Sequence, residues 1–328
     1  MINIRRTAAA GTISLALALA GTACSSAAGS APATTSADGT TSLTVTLAPI
    51  PDSAPLYIAV EQGIFKKHGL DVKISPAPTM GASIPALVSG AAQIGVLANV
   101  DAMQASAAGV PLRLFGATTV TTDKPAEDTG KVYVAKDSPI KQLSDLAGKT
   151  IGVSGLGGAG ELSLRVALDK SGVDSSHVKF LEVPLDSMLN SLERGQVDAI
   201  NTISPFTNAA EASGAHYILS PGAVAVPHAL QFVMATTAQF LDVNKAVVEN
   251  FKAAVDEATA YAAKNPNAVR AILPNYSGTP KELAAVMQLP EFNSDFTKDR
   301  ARIWSDLIAK YGFVKGTIDI DTLIVQNG

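Results

Sequence analysis

From Leu43 onward, apolar and polar positions follow two alternating periods. Leu43–Leu47 alternates residue by residue, as a strand with one buried face does. Leu56–Lys67 instead repeats every three to four residues, with Leu56, Ala59, Val60, Gly63 and Ile64 on one helical face. Gly69 ends that helix as a left-handed cap would. A strand at Val72–Ile74 follows, then a helix at Ser83–Ser89 stopped by Gly90 and a strand at Gln93–Leu97. A helix at Val100–Ala108 stopped by Gly109 and a strand at Leu112–Ala117 complete the series. Strands that alternate with helices predict a parallel sheet wrapped by helices.

The layout then returns. Thr150–Val153 reads as a strand, Glu161–Ser171 as a helix capped by Gly172, and Val178–Val183 as a strand. Ser187–Arg194 is a helix ended by Gly195, Val197–Thr202 a strand, and a helix ended by Gly214 leads into His216–Leu219. The registers agree: nineteen residues separate Gly90 from Gly109, and nineteen separate Gly195 from Gly214. Gly69-Leu70-Asp71 corresponds to Gly172-Val173-Asp174, and Asn99 and Ser204 both stand nine residues after a helix-stop glycine. One supersecondary order recurring at fixed spacing predicts two similar lobes.

Beyond Pro227 the pattern changes. Leu230–Thr236 reads as a strand, and helical periodicity dominates at Val243–Lys264, Pro266–Leu273, Pro280–Leu289 and Phe296–Tyr311. Two apolar stretches, Lys131–Lys136 and Leu230–Thr236, are the expected crossings between lobes. The expected organisation is a leader over 1–23, a tether over 24–42 and a first lobe over 43–130. A second lobe follows over 131–236 with crossings near 131–136 and 230–236, and 237–328 is a helical part that completes the first lobe. The expected fold class is α/β: two lobes, each a mainly parallel sheet flanked by helices, joined by a two-segment hinge.

The first forty residues change the picture. Arg5 and Arg6 precede the apolar run Ile13–Ala20, and the small residues Gly21-Thr22-Ala23 come directly before Cys24, the chain's single cysteine. That is the layout of a secretory signal, too short and too rich in small polar residues for a membrane span. A cysteine at this position predicts a lipid attached to Cys24 and a chain anchored to the outer face of the cell membrane. Gly21 departs from the usual lipobox leucine, and simple cleavage beside an incidental cysteine is the alternative. Ser25–Ser42 contains only Ser, Ala, Gly, Thr, Pro and Asp, which predicts a disordered tether.

Composition then narrows the chemistry. Aromatic residues make up 5% of the chain against 47% hydrophobic, so the core is aliphatic. One cysteine excludes an intrachain disulfide and a multi-cysteine metal site. A net charge of −4 without a basic cluster points away from nucleic acid. The four histidines are scattered and no nucleophile elbow occurs, so no catalytic group, metal or cofactor is expected.

In open α/β sheets a solute sits beyond the carboxyl ends of the strands. In the first lobe this singles out Asp52, Ser53, Met80, Gly81 and Asn99, and in the second Ser154, Gly155, Gly158, Asp186 and Ser204. The glycines before Glu161 stand at a helix start, which favours an anionic group. Asp52 favours a cationic or hydroxyl-bearing one. Asp52, Ser53, Asn99 and Asp186 equally suit simple helix caps. Gly155–Gly160 also matches G-x-G-x-x-G, with Glu182 near the spacing of a ribose-binding acid. A nucleotide-binding enzyme on this scaffold is therefore a rival reading.

Pro55-Leu56-Tyr57-Ile58-Ala59 through Glu61-Gln62-Gly63-Ile64-Phe65-Lys66-Lys67-His68-Gly69-Leu70-Asp71-Val72 resembles the opening of the nitrate/sulfonate/taurine-type solute-binding proteins. These are related to the thiamine-pyrimidine-precursor (NMT1/THI5-like) group. Leu87–Gly95, Ile140–Val153 and Gly195–Ile200 with Pro205-Phe206 extend the resemblance, which runs from about residue 43 to about 264. It implies a type II periplasmic-binding fold that takes a small polar or anionic solute, such as a sulfonate, nitrate or pyrimidine precursor. It also implies a monomer that serves the permease and ATPase of an ABC importer. Ser204 stands where many relatives have Glu before Pro-Phe, which removes a charge from the expected cleft. A ligand-sensing accessory lipoprotein is a further alternative.

Overall fold

Eleven strands are assigned among the described residues, which are 33–37, 39–77 and 82–325 of a computed structural model. They are β1 (Thr41–Leu47), β2 (Leu70–Pro76), β3 (Ile94–Ala98), β4 (Leu112–Val120), β5 (Gly130–Val134) and β6 (Thr150–Val153). β7 (Lys179–Glu182), β8 (Ala199–Ile203), β9 (His216–Leu219), β10 (Leu230–Thr237) and β11 (Glu291–Phe292) follow. Two sheets result, one ordered β11-β4-β10-β3-β1-β2 and the other β7-β6-β8-β5-β9. β1 is parallel to β2 and β3, and β6 is parallel to β7 and β8. The reversed strands are β10 and β11 in the first sheet and β5 in the second. β5 and β10 are the first strands formed after the chain changes lobe, which is why each enters its sheet against the grain.

The chain passes from the first sheet to the second between Val120 and Gly130, and back between Leu219 and Leu230. The stretches expected to cross, 131–136 and 230–236, are instead largely the strands just beyond those passages. Their Val, Tyr, Phe and Met side chains are buried as sheet interior, which a connecting strand bridging solvent could not provide. The first true crossing is polar and the second largely apolar, and the two are pinned to each other. Asp128 accepts from the N–H groups of Gly130 at 3.0 Å and Ala223 at 2.8 Å, and Ser220 Oγ donates to Pro125 O at 2.7 Å. Thr121 N–H donates to Ala229 O, and His228 N–H to Thr121 O.

The expected helix 56–67 is split into Ala54–Glu61 and Ile64–Lys67 by Gly63, whose φ of 68° breaks the helical run. Both pieces rest on the long helix Lys245–Lys264, with Phe65 stacked on Phe251 at 5.2 Å. That places the C-terminal helices on the first sheet. Burying a side chain of this size contributes about 1.5–3 kcal/mol. Trp304 is buried in the helix Lys298–Lys310, and its indole N–H donates to Leu230 O at 2.7 Å.

The expected tether ends earlier than its composition suggested. Ala33 N–H donates to Asn244 Oδ1 at 2.8 Å, Ser42 N–H to Thr34 O at 3.0 Å, and the Thr35 and Thr41 hydroxyls are 3.0 Å apart. A short polar segment needs no apolar burial when its backbone and hydroxyl groups find partners at a sheet edge. The leader, Cys24, Met80 and Gly81 lie outside the described residues.

Candidate functional site

The carboxyl ends of the first sheet gather a polar rim. After β1 the segment Ala48–Ser53 turns across the ends of β3 and β10 and brings Asp52 to β4, where Thr119 Oγ1 donates to Asp52 Oδ1 at 3.0 Å. Asp52 is buried. Desolvation of its carboxylate outweighs the hydrogen bonds it receives and pushes its pKa up to about 6. Ser53 is buried too, and its hydroxyl donates to Ala48 O at 2.7 Å, so it ties its own loop together and does not reach outward.

Asn99 opens the helix Asn99–Ala107 directly beyond β3, in the part of the sheet that the Asp52 loop spans. Its Nδ2 donates to Leu230 O at 3.3 Å, while its buried Oδ1 has no partner. Asp101 follows in the first turn, half-buried, with desolvation raising its pKa. Position and spacing set its direction. Asp101 and Gln104 share one face of the helix, and Gln104 Nε2 donates to Gly157 O of the second lobe at 2.8 Å.

An aromatic pair flanks the rim. Tyr57 and Tyr276 stack at 3.8 Å with planes 9° apart. Tyr276 Oη lies 3.4 Å from Ile50 O, while Tyr57 Oη is buried without a partner. Burial first, then the neighbouring Tyr57 and Asp52, push the Tyr276 hydroxyl well above its ordinary pKa.

The second lobe presents a different rim. Ser154 is exposed, Gly155 half-buried, and Gly158 stands at the start of the helix Ala159–Lys170. The glycine loop's N–H groups are partly taken by the chain's own carboxylates. Gly157 N–H donates to Glu161 Oε2 at 2.9 Å and Leu156 N–H to Glu182 Oε2 at 3.4 Å. Glu161 is also bound by Arg165 at 2.7 Å. Two of the loop's N–H groups are thereby engaged from within, and Glu182, at the expected ribose-binding spacing, braces the loop. Asn201 Nδ2 donates to Gly160 O at 2.9 Å. Asp186 is exposed, in the first turn of the helix Leu185–Glu193, and accepts from the hydroxyl of Ser187 at 3.0 Å. Ser204 is buried, and its hydroxyl donates to Gln288 O at 2.8 Å, a bond from the second lobe to the C-terminal part of the chain.

Asp52 and Asn99 thus lie at strand ends of the first sheet and the 154–158 loop and Ser204 at strand ends of the second, and the bonds Gln104 to Gly157 O and Ser204 to Gln288 O tie the second lobe to the rest of the chain. Asp186 stays at an exposed helix start. Asp101, Thr119 and the Tyr57–Tyr276 pair were not singled out by sequence. Asp101 reads there as an ordinary acidic residue in a first turn, and the two tyrosines are 219 positions apart. Among the described residues no cluster of His, Cys, Asp or Glu is arranged to hold a metal ion.

Two sheets, each flanked by helices and linked by two crossings, make up the fold of the periplasmic binding proteins. The family model described as NMT1/THI5 like matches residues 50–269, and the chain belongs to that family. A Haemophilus influenzae protein named for thiamine biosynthesis is 30% identical over 161 residues, 48% of this chain and 47% of that one. The 4-amino-5-hydroxymethyl-2-methylpyrimidine phosphate synthase THI11 of Saccharomyces cerevisiae is 31% identical over 108 residues, 33% of this chain and 30% of that one. The chain therefore spans half or less of the length of these relatives. The periplasmic aliphatic sulphonate binding protein SsuA of Escherichia coli superposes with a TM-score of 0.72 at 19% identity, covering 88% of this chain and 92% of that one. At that identity the likeness concerns the fold.

Proposed function

We propose that this chain is an extracytoplasmic solute-binding lipoprotein. It captures a small polar molecule between its lobes and delivers it to the permease and ATPase of an ABC importer. Lipid on Cys24 anchors it as a monomer to the outer face of the membrane, and the passages 121–129 and 220–229 act as the hinge on which the lobes close. Asp52, Asn99, Ser154, Gly155 and Ser204 contribute to the solute contacts, and the sequence pattern adds Met80 and Gly81.

The observation that supports this reading is the pair of helix-flanked sheets joined by two crossings and tied by Gln104 to Gly157 O and by Ser204 to Gln288 O. Among the described residues this rim supplies hydrogen-bonding groups for binding, and no nucleophile, base and orienting group are found adjacent there. The relative named as a synthase favours a second reading, an enzyme on the same scaffold.

A thermal-shift screen of the chain from residue 24, carrying Cys24→Ser, separates the two. The panel contains alkanesulfonates, nitrate, carboxylates, amines, pyrimidines, flavins and nicotinamide nucleotides. Ligand at one hundred times its Kd adds about 2.7 kcal/mol of stability. A shift with one small solute that is recovered unchanged supports the binding protein. Conversion of that solute, or a shift confined to nucleotides, favours the enzyme.

A further inference from the structure

We infer that the cleft selects a positively charged solute bearing N–H donors, with Asp52 and Asp101 as its counter-charges, and rejects sulfonate and nitrate. This inference rests on the solute-binding reading above and gives the class of solute.

The first lobe's rim holds carboxylates that lack a counter-charge and one orphaned acceptor. None of the ion pairs found among the described residues involves Asp52 or Asp101. A carboxylate removed from water without a cation is costly, and the cost is recovered when a cation arrives. Asn99 supplies the independent observation. It is 1% exposed, its amide N–H is spent on Leu230 O, and its Oδ1 is left without a donor at the strand end that the Asp52 loop crosses. The orphaned Asn99 Oδ1, at the strand end that the Asp52 loop crosses and in the same helical turn as Asp101, calls for an N–H group. A sulfonate or nitrate, which carries only acceptors, would add repulsion and leave it unsatisfied.

The second lobe offers an anion little in return. The loop N–H groups of Leu156 and Gly157 are engaged by Glu182 and Glu161, and Arg165 is committed to Glu161. Lys124 and Lys131, on and just after the first crossing, are paired with Glu127 and Glu211. The stacked Tyr57–Tyr276 pair beside Asp52 completes the match, since aromatic surface next to a carboxylate favours a flat cation.

The test uses the chain from residue 24 with Cys24→Ser and four probes at equal ionic strength and pH 7.5. Benzamidinium and n-butylammonium are the cations; ethanesulfonate and nitrate are the anions. The expected result is a rise in Tm with at least one cation, none with either anion, and binding weakened roughly tenfold or more by Asp52→Asn. Asp101→Asn, on the less buried helix face, is the second variant and weakens the same probe. A shift with an anion that survives in Asp52→Asn overturns the inference and leaves the importer reading standing. A shift with neither cation also overturns it, as does cation binding unchanged in both variants.

Discussion

The two lobes are built on one plan and solve the same problem in opposite ways. Each carries carboxylates at the ends of its strands. In the second lobe Glu161 is satisfied: it holds Gly157 N–H and Arg165 and stiffens the glycine loop. In the first lobe Asp52 receives a hydrogen bond from Thr119, while Asp101 and Asn99 Oδ1 find no partner. A satisfied carboxylate stabilises the fold. An unsatisfied one destabilises it and waits for a ligand, which is the trade between stability and function expected at a binding surface. On the proposed reading, the first lobe anchors the solute and the second closes over it.

Substitutions sharpen this contrast through their sign. The largest expected loss comes from the crossings that hold the lobes together. Asp128→Ala leaves the buried N–H groups of Gly130 and Ala223 without an acceptor and costs about 4 kcal/mol, read from the denaturant midpoint. Glu161→Ala removes Arg165's ion pair and frees the glycine loop, a loss of about 3 kcal/mol by the same measurement. Asp52→Asn goes the other way: without ligand at pH 7.5 it stabilises the chain by ~2 kcal/mol, while cation binding falls. An Asp52→Asn chain as destabilised as Glu161→Ala would erase the distinction between the lobes. The smallest effect is Ser204→Ala, which removes one bridging bond to Gln288 O, costs about 1 kcal/mol, and opens the lobes slightly in solution scattering.

Much of this architecture is legible in the residues. The duplicated glycine stops mark where helices end, and Gly195 and Gly214 do adopt positive φ of 67° and 82°. Strand periodicity places β6 and β9 at their observed bounds. What the pattern misplaces are the crossings, because an apolar run such as Leu230–Thr237 looks the same whether it links lobes or forms the middle of a sheet. Asp52 and Asn99 are found by the strand-end rule. Asp101 and the tyrosine pair are not, since their meaning depends on which helix face meets the other lobe and on residues brought together from distant parts of the chain. The glycine loop shows the reverse error: its N–H groups suggest an anion until Glu161 and Glu182 are seen to occupy two of them.

The central claim, a buried carboxylate without a counter-charge in the first lobe, is tested most directly by stability against pH without any ligand. Asp52 has a folded-state pKa of about 6, above its unfolded value, so the folded chain binds more protons than the unfolded one between about pH 4 and 6. Stability is then greatest below that window and falls as pH rises through it, by up to ~3 kcal/mol from this group. The predicted result is that Asp52→Asn removes this part of the slope and unfolds at a higher temperature than the parent at pH 7.5. A parent whose stability rises with pH from 4 to 7.5, or an Asp52→Asn chain less stable than it throughout, would contradict the account.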